Sequence, residues 1–150
     1  MFKRVCVALF VALFLCGGSA LAYDGFTVGV HAEAHSLKTS GYGVHVVAPL
    51  FGFSHGTGPM VSVRGDFSAS AVPFLGVSGV ISGTAPNLQP FAAFGGGVDF
   101  VGAGRPTAQF LGMLGVRARV YDNLFLYTHG HLRIGRAALV GIALGLEYSF

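Results

Sequence analysis

Along residues 138–150 every second side chain is apolar: Ala138, Val140, Ile142, Leu144, Leu146, Tyr148 and Phe150. Between them stand Leu139, Gly141, Ala143, Gly145, Glu147 and Ser149, which apart from Leu139 are small or polar. Successive strand side chains point to opposite faces, so this spacing builds a strand with one greasy face and one small or polar face. A helical period does not produce such a division.

The same period recurs along the chain. Phe26, Val28, Val30, Ala32 and Ala34 alternate with Thr27, Gly29, His31, Glu33 and His35. Tyr42, Val44, Val46 and Ala48 alternate with Gly43, His45 and Val47, in a strand that runs past an irregularity at Pro49 to Phe53. Val61, Val63, Gly65, Phe67 and Ala69 alternate with Ser62, Arg64, Asp66 and Ser68. Residues 73–82 alternate weakly, and residues 90–101 set Ala92, Phe94, Gly96, Val98 and Phe100 against Ala93, Gly95, Gly97 and Asp99. Residues 107–120 put Ala108, Phe110, Gly112, Leu114, Val116, Ala118 and Val120 opposite Gln109, Leu111, Met113, Gly115, Arg117 and Arg119. Residues 124–134 put Leu124, Leu126, Leu132 and Ile134 opposite Tyr127, His129, His131 and Arg133. The predicted connections are 36–41, 54–59, 70–72, 83–89, 102–106, 121–123 and 135–137.

No charged residue occurs in residues 67–98, a length that could be mistaken for a membrane helix. Pro73, Pro86, Pro90 and many glycines and serines break it into strand-sized pieces. The 24 glycines of the chain argue against a helical bundle for the same reason, since each interior glycine costs about 1 kcal/mol relative to alanine. With 53% hydrophobic and 10% charged residues the chain is not disordered, and a net charge of +3 is too weak a field for a nucleic-acid binder. No nucleotide-binding loop, catalytic triad or nucleic-acid motif occurs, and no cofactor is expected.

The first 22 residues read as a cleaved secretory signal peptide. Lys3 and Arg4 precede an apolar run over residues 5–15; Gly17, Gly18 and Ser19 break it, and Ala20 and Ala22 flank Leu21 as a signal peptidase requires. The run is too short to span a bilayer, and Leu15 before Cys16 does not suit lipoprotein processing. Cleavage is placed after Ala22, leaving residues 23–150 as one domain. Cys6 and Cys16 are the only two cysteines, so the exported part carries no disulfide. Most of the excess of basic over acidic residues leaves with the leader.

The remaining charges fall in two places. Glu33, Arg64, Asp66, Asp99, Arg117, Arg119, Arg133 and Glu147 sit on the small or polar phase of a strand, whereas Asp24, Lys38, Arg105, Asp122 and Arg136 lie in turns or near the start. None lies on the apolar phase. A soluble β-sandwich would also keep its core free of charge, so the alternative of a secreted sandwich stays open on this count. The export leader, the near balance of acids and arginines among small neighbours, and the single lysine left after cleavage favour a closed barrel with charges paired in its lumen. Eight strands of about 10 to 14 residues are close to the 9–11 that a tilted strand needs to cross a membrane. The predicted fold is therefore all-β, an eight-stranded antiparallel up-and-down transmembrane barrel.

Viewed this way, the chain resembles the small eight-stranded outer-membrane β-barrels of the OmpA/OmpX-like superfamily. The last strand, ending Leu144, Leu146, Tyr148 and Phe150, looks like the C-terminal signal that this family presents to the barrel-assembly machinery. Residues 89–98, Gln-Pro-Phe running into a triple glycine, and residues 122–127 are similar to repeated strand openings of the family. The resemblance implies an outer-membrane location, periplasmic termini, periplasmic chaperones and outer-membrane lipids as partners, and outward loops at the odd-numbered connections.

Three chemistries compete for the lumen. His31, Glu33 and His35 share one strand face with about 7 Å between alternate residues, and His45 on the next strand is the candidate to complete a metal site. His129 and His131, one hairpin from Glu147 and Ser149, invite comparison with lipid A deacylases, which use a His, Ser and Glu set; there His-x-Ser is expected, and the residue two after His129 is another histidine. The remaining reading is a polar plug made by Arg64, Asp66, Asp99, Arg117, Arg119, His129, His131, Arg133 and Glu147, with a structural or membrane-integrity role. The predicted outward connections are short, the longest being 36–41, which argues against a receptor.

Overall fold

A computed structural model describes residues 26–36, 39–52, 60–83, 87–100 and 105–150. Eight strands follow in order: β1 Thr27–His35, β2 Ser40–Gly52, β3 Met60–Ala69, β4 Phe74–Ser82, β5 Leu88–Asp99, β6 Thr107–Tyr121, β7 Leu124–Ile134 and β8 Ala138–Ser149. Each pairs antiparallel with its neighbours in sequence, and β8 returns to β1 to close the barrel. The closing seam runs from Thr27 opposite Ser149 to His35 opposite Gly141. Closure removes every unpaired edge, which is what lets strands stand in hydrocarbon. It also rules out the sandwich alternative, which needs two sheets.

The strand positions follow the alternation closely, including the irregularity in β2. The β2–β3 register shifts between Pro49 and Phe51, where a residue without an N–H cannot serve the ladder. A second shift, between Arg119 and Tyr121, precedes the turn at Asp122 and Asn123. The predicted leader 1–22, Asp24, Lys38, Phe53, the whole of the second predicted connection and parts of the first, fourth and fifth lie outside the described residues.

The apolar phase of every strand faces outward. Val30, Val44, Val77, Ile81, Leu114, Leu126, Ile142 and Leu144 are exposed, while their strand neighbours are buried or half-buried in the lumen. The described charges on the outside, Arg105, Arg119, Asp122 and Arg136, lie at the two rims. Exposed aromatic residues also gather near the rims: Tyr121, Tyr148 and Phe150 at the end that carries the termini, and Tyr42, Phe67 and Phe110 toward the other. Two aromatic girdles flanking an uncharged apolar band are what a bilayer with two interfaces selects.

The weak alternation of residues 73–82 has a physical cause. Phe74, Val80, Phe91, Ala93, Leu111 and Met113 pack together inside, so along β4, β5 and β6 both faces carry apolar residues. The lumen is thus divided. One side is a small hydrophobic core; most of the buried polar and charged side chains stand on β1, β2, β3, β7 and β8, with Asp99 of β5 and Arg117 of β6 joining them.

Candidate functional site

The polar side of the lumen is organised around two carboxylates at different depths. Toward the end that carries the termini, Glu147 on β8 receives a hydrogen bond from His45 Nε2 at 2.9 Å. Its other oxygen lies 3.3 Å from Arg117 Nε, and Arg64 Nη1 stands 3.9 Å away. A carboxylate can only accept, so His45 carries its proton on Nε2. In the neutral ring Nδ1 then accepts from the Tyr127 hydroxyl at 3.2 Å.

Toward the opposite end, Glu33 on β1 accepts from Arg133 Nη2 at 3.1 Å and from the Ser68 hydroxyl. Arg133 in turn approaches Asp99 at 3.9 Å. Between the two centres, Arg64 is held by Asp66 through Nε at 2.9 and 3.0 Å and through Nη2 at 2.8 Å. Aromatic faces carry the guanidinium groups further: Arg117 lies 4.3 Å from the Phe125 ring and Arg133 4.4 Å from Phe74.

The histidines occupy the space that glycines leave open. His31 pairs across the sheet with Gly43 and His45 with Gly29, and in each case the imidazole covers the glycine. Gly141 on β8 faces His35 of β1 on one side and His131 of β7 on the other, and both rings cover it. A β-carbon at Gly141 would collide with the His131 ring and lie 2.6 Å from His35 Cδ2. The small residues of the polar phase therefore set where the imidazoles can lie.

Among the described residues, two cavities of about 20 Å³ lie beside the network, each with room for a single water. One is bordered by Arg64, Phe91, Arg117 and Glu147, the other by Glu33, Phe74, His131 and Arg133.

No family model matches the chain. No curated protein matches it in sequence. Solved structures do match in shape. A de novo designed transmembrane β-barrel is 17% identical with a TM-score of 0.65, over 84% of this chain and 95% of the design. The N-terminal β-barrel domain of OprF from Pseudomonas aeruginosa is 12% identical with a TM-score of 0.62, over 85% of this chain and 100% of that domain. This chain has the fold of the small eight-stranded transmembrane barrels. The outer membrane enzyme PagL shares it, at 12% identity and a TM-score of 0.62 over 83% of this chain and 99% of the enzyme. Identities this low carry the fold, and the role has to come from the side chains of this small barrel.

Within the barrel the predicted metal set does not assemble as spacing alone suggests. His45 stands across from Gly29, nearer the termini than His31, and both its nitrogens are engaged by Glu147 and Tyr127. His131 takes the place expected for His45: one ligand atom each from Glu33, His35 and His131 lies within 4.8 Å of the others. His31 stays close, 3.8 Å from Glu33.

The set expected for a deacylase does not assemble either. His129 faces Ala143 across the β7–β8 ladder while Glu147 faces Phe125, and His129 stacks on Tyr127 with ring centroids 5.7 Å apart. Ser149 sits at the rim, its N–H bonded to the Asn123 carbonyl. Of the predicted polar network, Arg119 is not in the lumen: it is exposed near the rim, 5.5 Å from the Phe125 ring, just before the register shift that ends the β6–β7 ladder. Arg64, Asp66, Asp99, Arg117, His129, His131, Arg133 and Glu147 are buried inside. Tyr127 and Ser68 complete the network and were legible only as members of the lumen phase. Leu144, Leu146 and Tyr148 face outward on β8, and Phe150, just past its end, is exposed.

Proposed function

We propose that this protein is a structural component of the outer membrane, a sealed barrel that stiffens or spaces the lipid layer. The observation that carries the reading is that buried charged side chains link strands that are not neighbours in the sheet, up to Arg64 of β3 standing 3.9 Å from Glu147 of β8, three strands around the barrel. Glu33 of β1 reaches Arg133 of β7, which approaches Asp99 of β5; Glu147 of β8 meets His45 of β2 and Arg117 of β6. Eight strands enclose a lumen that side chains can fill, and these fill it. Among the described residues, the turns at 70–73 and 135–137, at the end away from the termini, are short and offer little surface for capturing a ligand.

On this reading the leader directs export and is cleaved after Ala22, the termini face the periplasm, chaperones keep the unfolded chain soluble there, and the assembly machinery recognises the last strand through Phe150. The test is fractionation of outer membranes followed by a detergent gel run with and without boiling, paired with planar-bilayer recordings. A heat-modifiable band in the outer-membrane fraction with no steady conductance is expected. Absence from that fraction, or a stable open channel, would overturn it.

Because an outer membrane enzyme shares the fold, a lipid-modifying hydrolase is the second reading. The inward burial of His129 and Glu147, away from lipid and from each other, weighs against it. Lipid A mass spectra after overexpression decide: a lost acyl chain would support the hydrolase.

A further inference from the structure

At the barrel end away from the termini, the geometry points to a metal site. We propose that Glu33, His35 and His131 bind one divalent transition-metal ion of the zinc class, and that the ion staples β1 to β7 across β8, the strand that closes the barrel. The envelope role does not depend on this ion, nor the ion on that role.

Several independent observations converge. The three residues offer one ligand atom each within 4.8 Å of one another. A tetrahedral zinc ion with arms of about 2.0–2.1 Å holds its ligand atoms about 3.4 Å apart. His35 Nε2 and Glu33 Oε1 already stand at 3.4 Å, so that edge of the tetrahedron is preformed and His131 has only to close on it.

The two imidazole nitrogens involved are buried, yet Nε2 of His35 and Nε2 of His131 have no hydrogen-bond partner. Leaving a buried polar atom unpaired costs about 1–3 kcal/mol, and a metal ion would satisfy both atoms at once. The other nitrogen of His35, Nδ1, lies 3.2 Å from the Thr39 hydroxyl. Donation from Nδ1–H to Thr39 leaves the Nε2 lone pair free and aims it inward, the arrangement by which metal-binding histidines are oriented. Glu33 divides its oxygens. Oε2 takes Arg133, and Oε1 faces His35 under the Ser68 hydroxyl.

Arg133 is the cation nearest the site, and it does not defeat the proposal. With Glu33 and Asp99 beside it, the group carries one positive and two negative charges before any metal enters, a balance that accepts a divalent ion. His35 is the last residue of β1, so the site lies near the rim of the barrel. Three protein ligands leave a fourth position for water.

The alternating His-x-Glu-x-His run does not by itself give this set. The third ligand comes from β7, and it arrives because Gly141 on β8 lets two imidazoles approach over one position.

The experiment uses the chain without a histidine tag, refolded in detergent after chelation, with the unboiled gel band confirming a closed barrel for each variant. Cobalt(II) is titrated and followed by visible absorption, then displaced by zinc. The expected result is one equivalent of cobalt with tetrahedral d–d bands, lost on addition of zinc. His131→Gln and His35→Gln should weaken binding at least a hundred-fold, and Thr39→Val, which removes only the orienting partner, roughly ten- to a hundred-fold. His45→Asn should bind as the parent does. A folded parent that takes up no stoichiometric cobalt would overturn the site. So would binding that survives His131→Gln, or that disappears with His45→Asn in a barrel that still closes. If a histidine variant fails to close, the parent titration and Thr39→Val still decide.

Discussion

Placing an arginine on the outer face of β8 measures how deep that face lies in hydrocarbon. Leu144 is 57% exposed and near the middle of its strand, opposite Ala32 of β1 and Thr128 of β7. The strand has 12 residues. At about 3.4 Å per residue and a tilt near 40°, it extends about 31 Å along the barrel axis, more than the ≈ 25 Å apolar band of such barrels. Leu144 therefore falls near the bilayer midplane. Val140, also outward at 55% exposure, is four residues toward the rim and about 10 Å off the midplane. Arginine costs about 2–4 kcal/mol at the midplane and about 0–1 near an interface, where its long side chain reaches water. Leu144→Arg should then destabilise by about 2 kcal/mol more than Val140→Arg, roughly a thirty-fold difference in the folded-to-unfolded ratio. Urea titrations of the barrel in lipid vesicles, read by the unboiled gel band, measure both. If the two substitutions cost the same, or if both stay within the ~0.5 kcal/mol of an ordinary exposed surface site, the outer face is not in hydrocarbon and the membrane reading fails.

Three further outcomes test the lumen and the assembly. Glu147→Gln removes the charge shared by His45 and Arg117, 2.9 and 3.3 Å away, and should cost about 3–5 kcal/mol in the same titration, part of it recovered when Arg117→Met is added. Gly95→Ala should abolish the heat-modifiable band, because its β-carbon would collide with the Val77 carbonyl and lie 2.5 Å from Ser78 Cα, whereas Gly130→Ala, with its nearest neighbour at 3.9 Å, should stay within ~0.5 kcal/mol of the parent. Phe150→Ser should slow appearance of the folded band in cells by pulse-chase while leaving spontaneous refolding in detergent unchanged; equal slowing in both would mean that the residue acts in the barrel itself, through its ring contacts with Phe26 and Tyr148.

Much of the fold is legible because strand parity is local. Whether a residue faces lipid or lumen depends only on its position within one alternating run, so β1, β3, β7 and β8 can be read without knowing their partners. Parity falters where both faces are apolar, as along β4. There Phe74 and Val80 point inward while Leu75, Val77 and Ile81 point outward, and no contrast remains to set the phase. The aromatic girdles were equally present in the sequence as Tyr42, Phe110, Tyr121 and Tyr148. They carry meaning only once strand ends are known, since depth is a property of the whole sheet.

The candidate site behaves differently, because its members are set by register between distant strands. Glu33 and Arg133 are 100 positions apart, and His45 and Glu147 are 102. A run of alternating histidines fixes which face they share but not their depth relative to the next strand. That offset assigns His45 to Glu147 and brings His131 to Glu33 and His35. The readable clue is glycine. A lumen imidazole needs an empty neighbouring position, and on β8 the phase opposite the lipid face offers Gly141 and Gly145. Gly145 is crowded by the Val30 carbonyl and by Tyr127, so Gly141 is the place where rings from two strands can meet. The glycines that first argue against helices thus also choose which histidines meet. Gly141→Ala should separate His35 from His131 and abolish stoichiometric cobalt uptake while the unboiled gel band still shows a closed barrel; a Gly141→Ala barrel that closes and binds cobalt as the parent does would refute this role of the glycine.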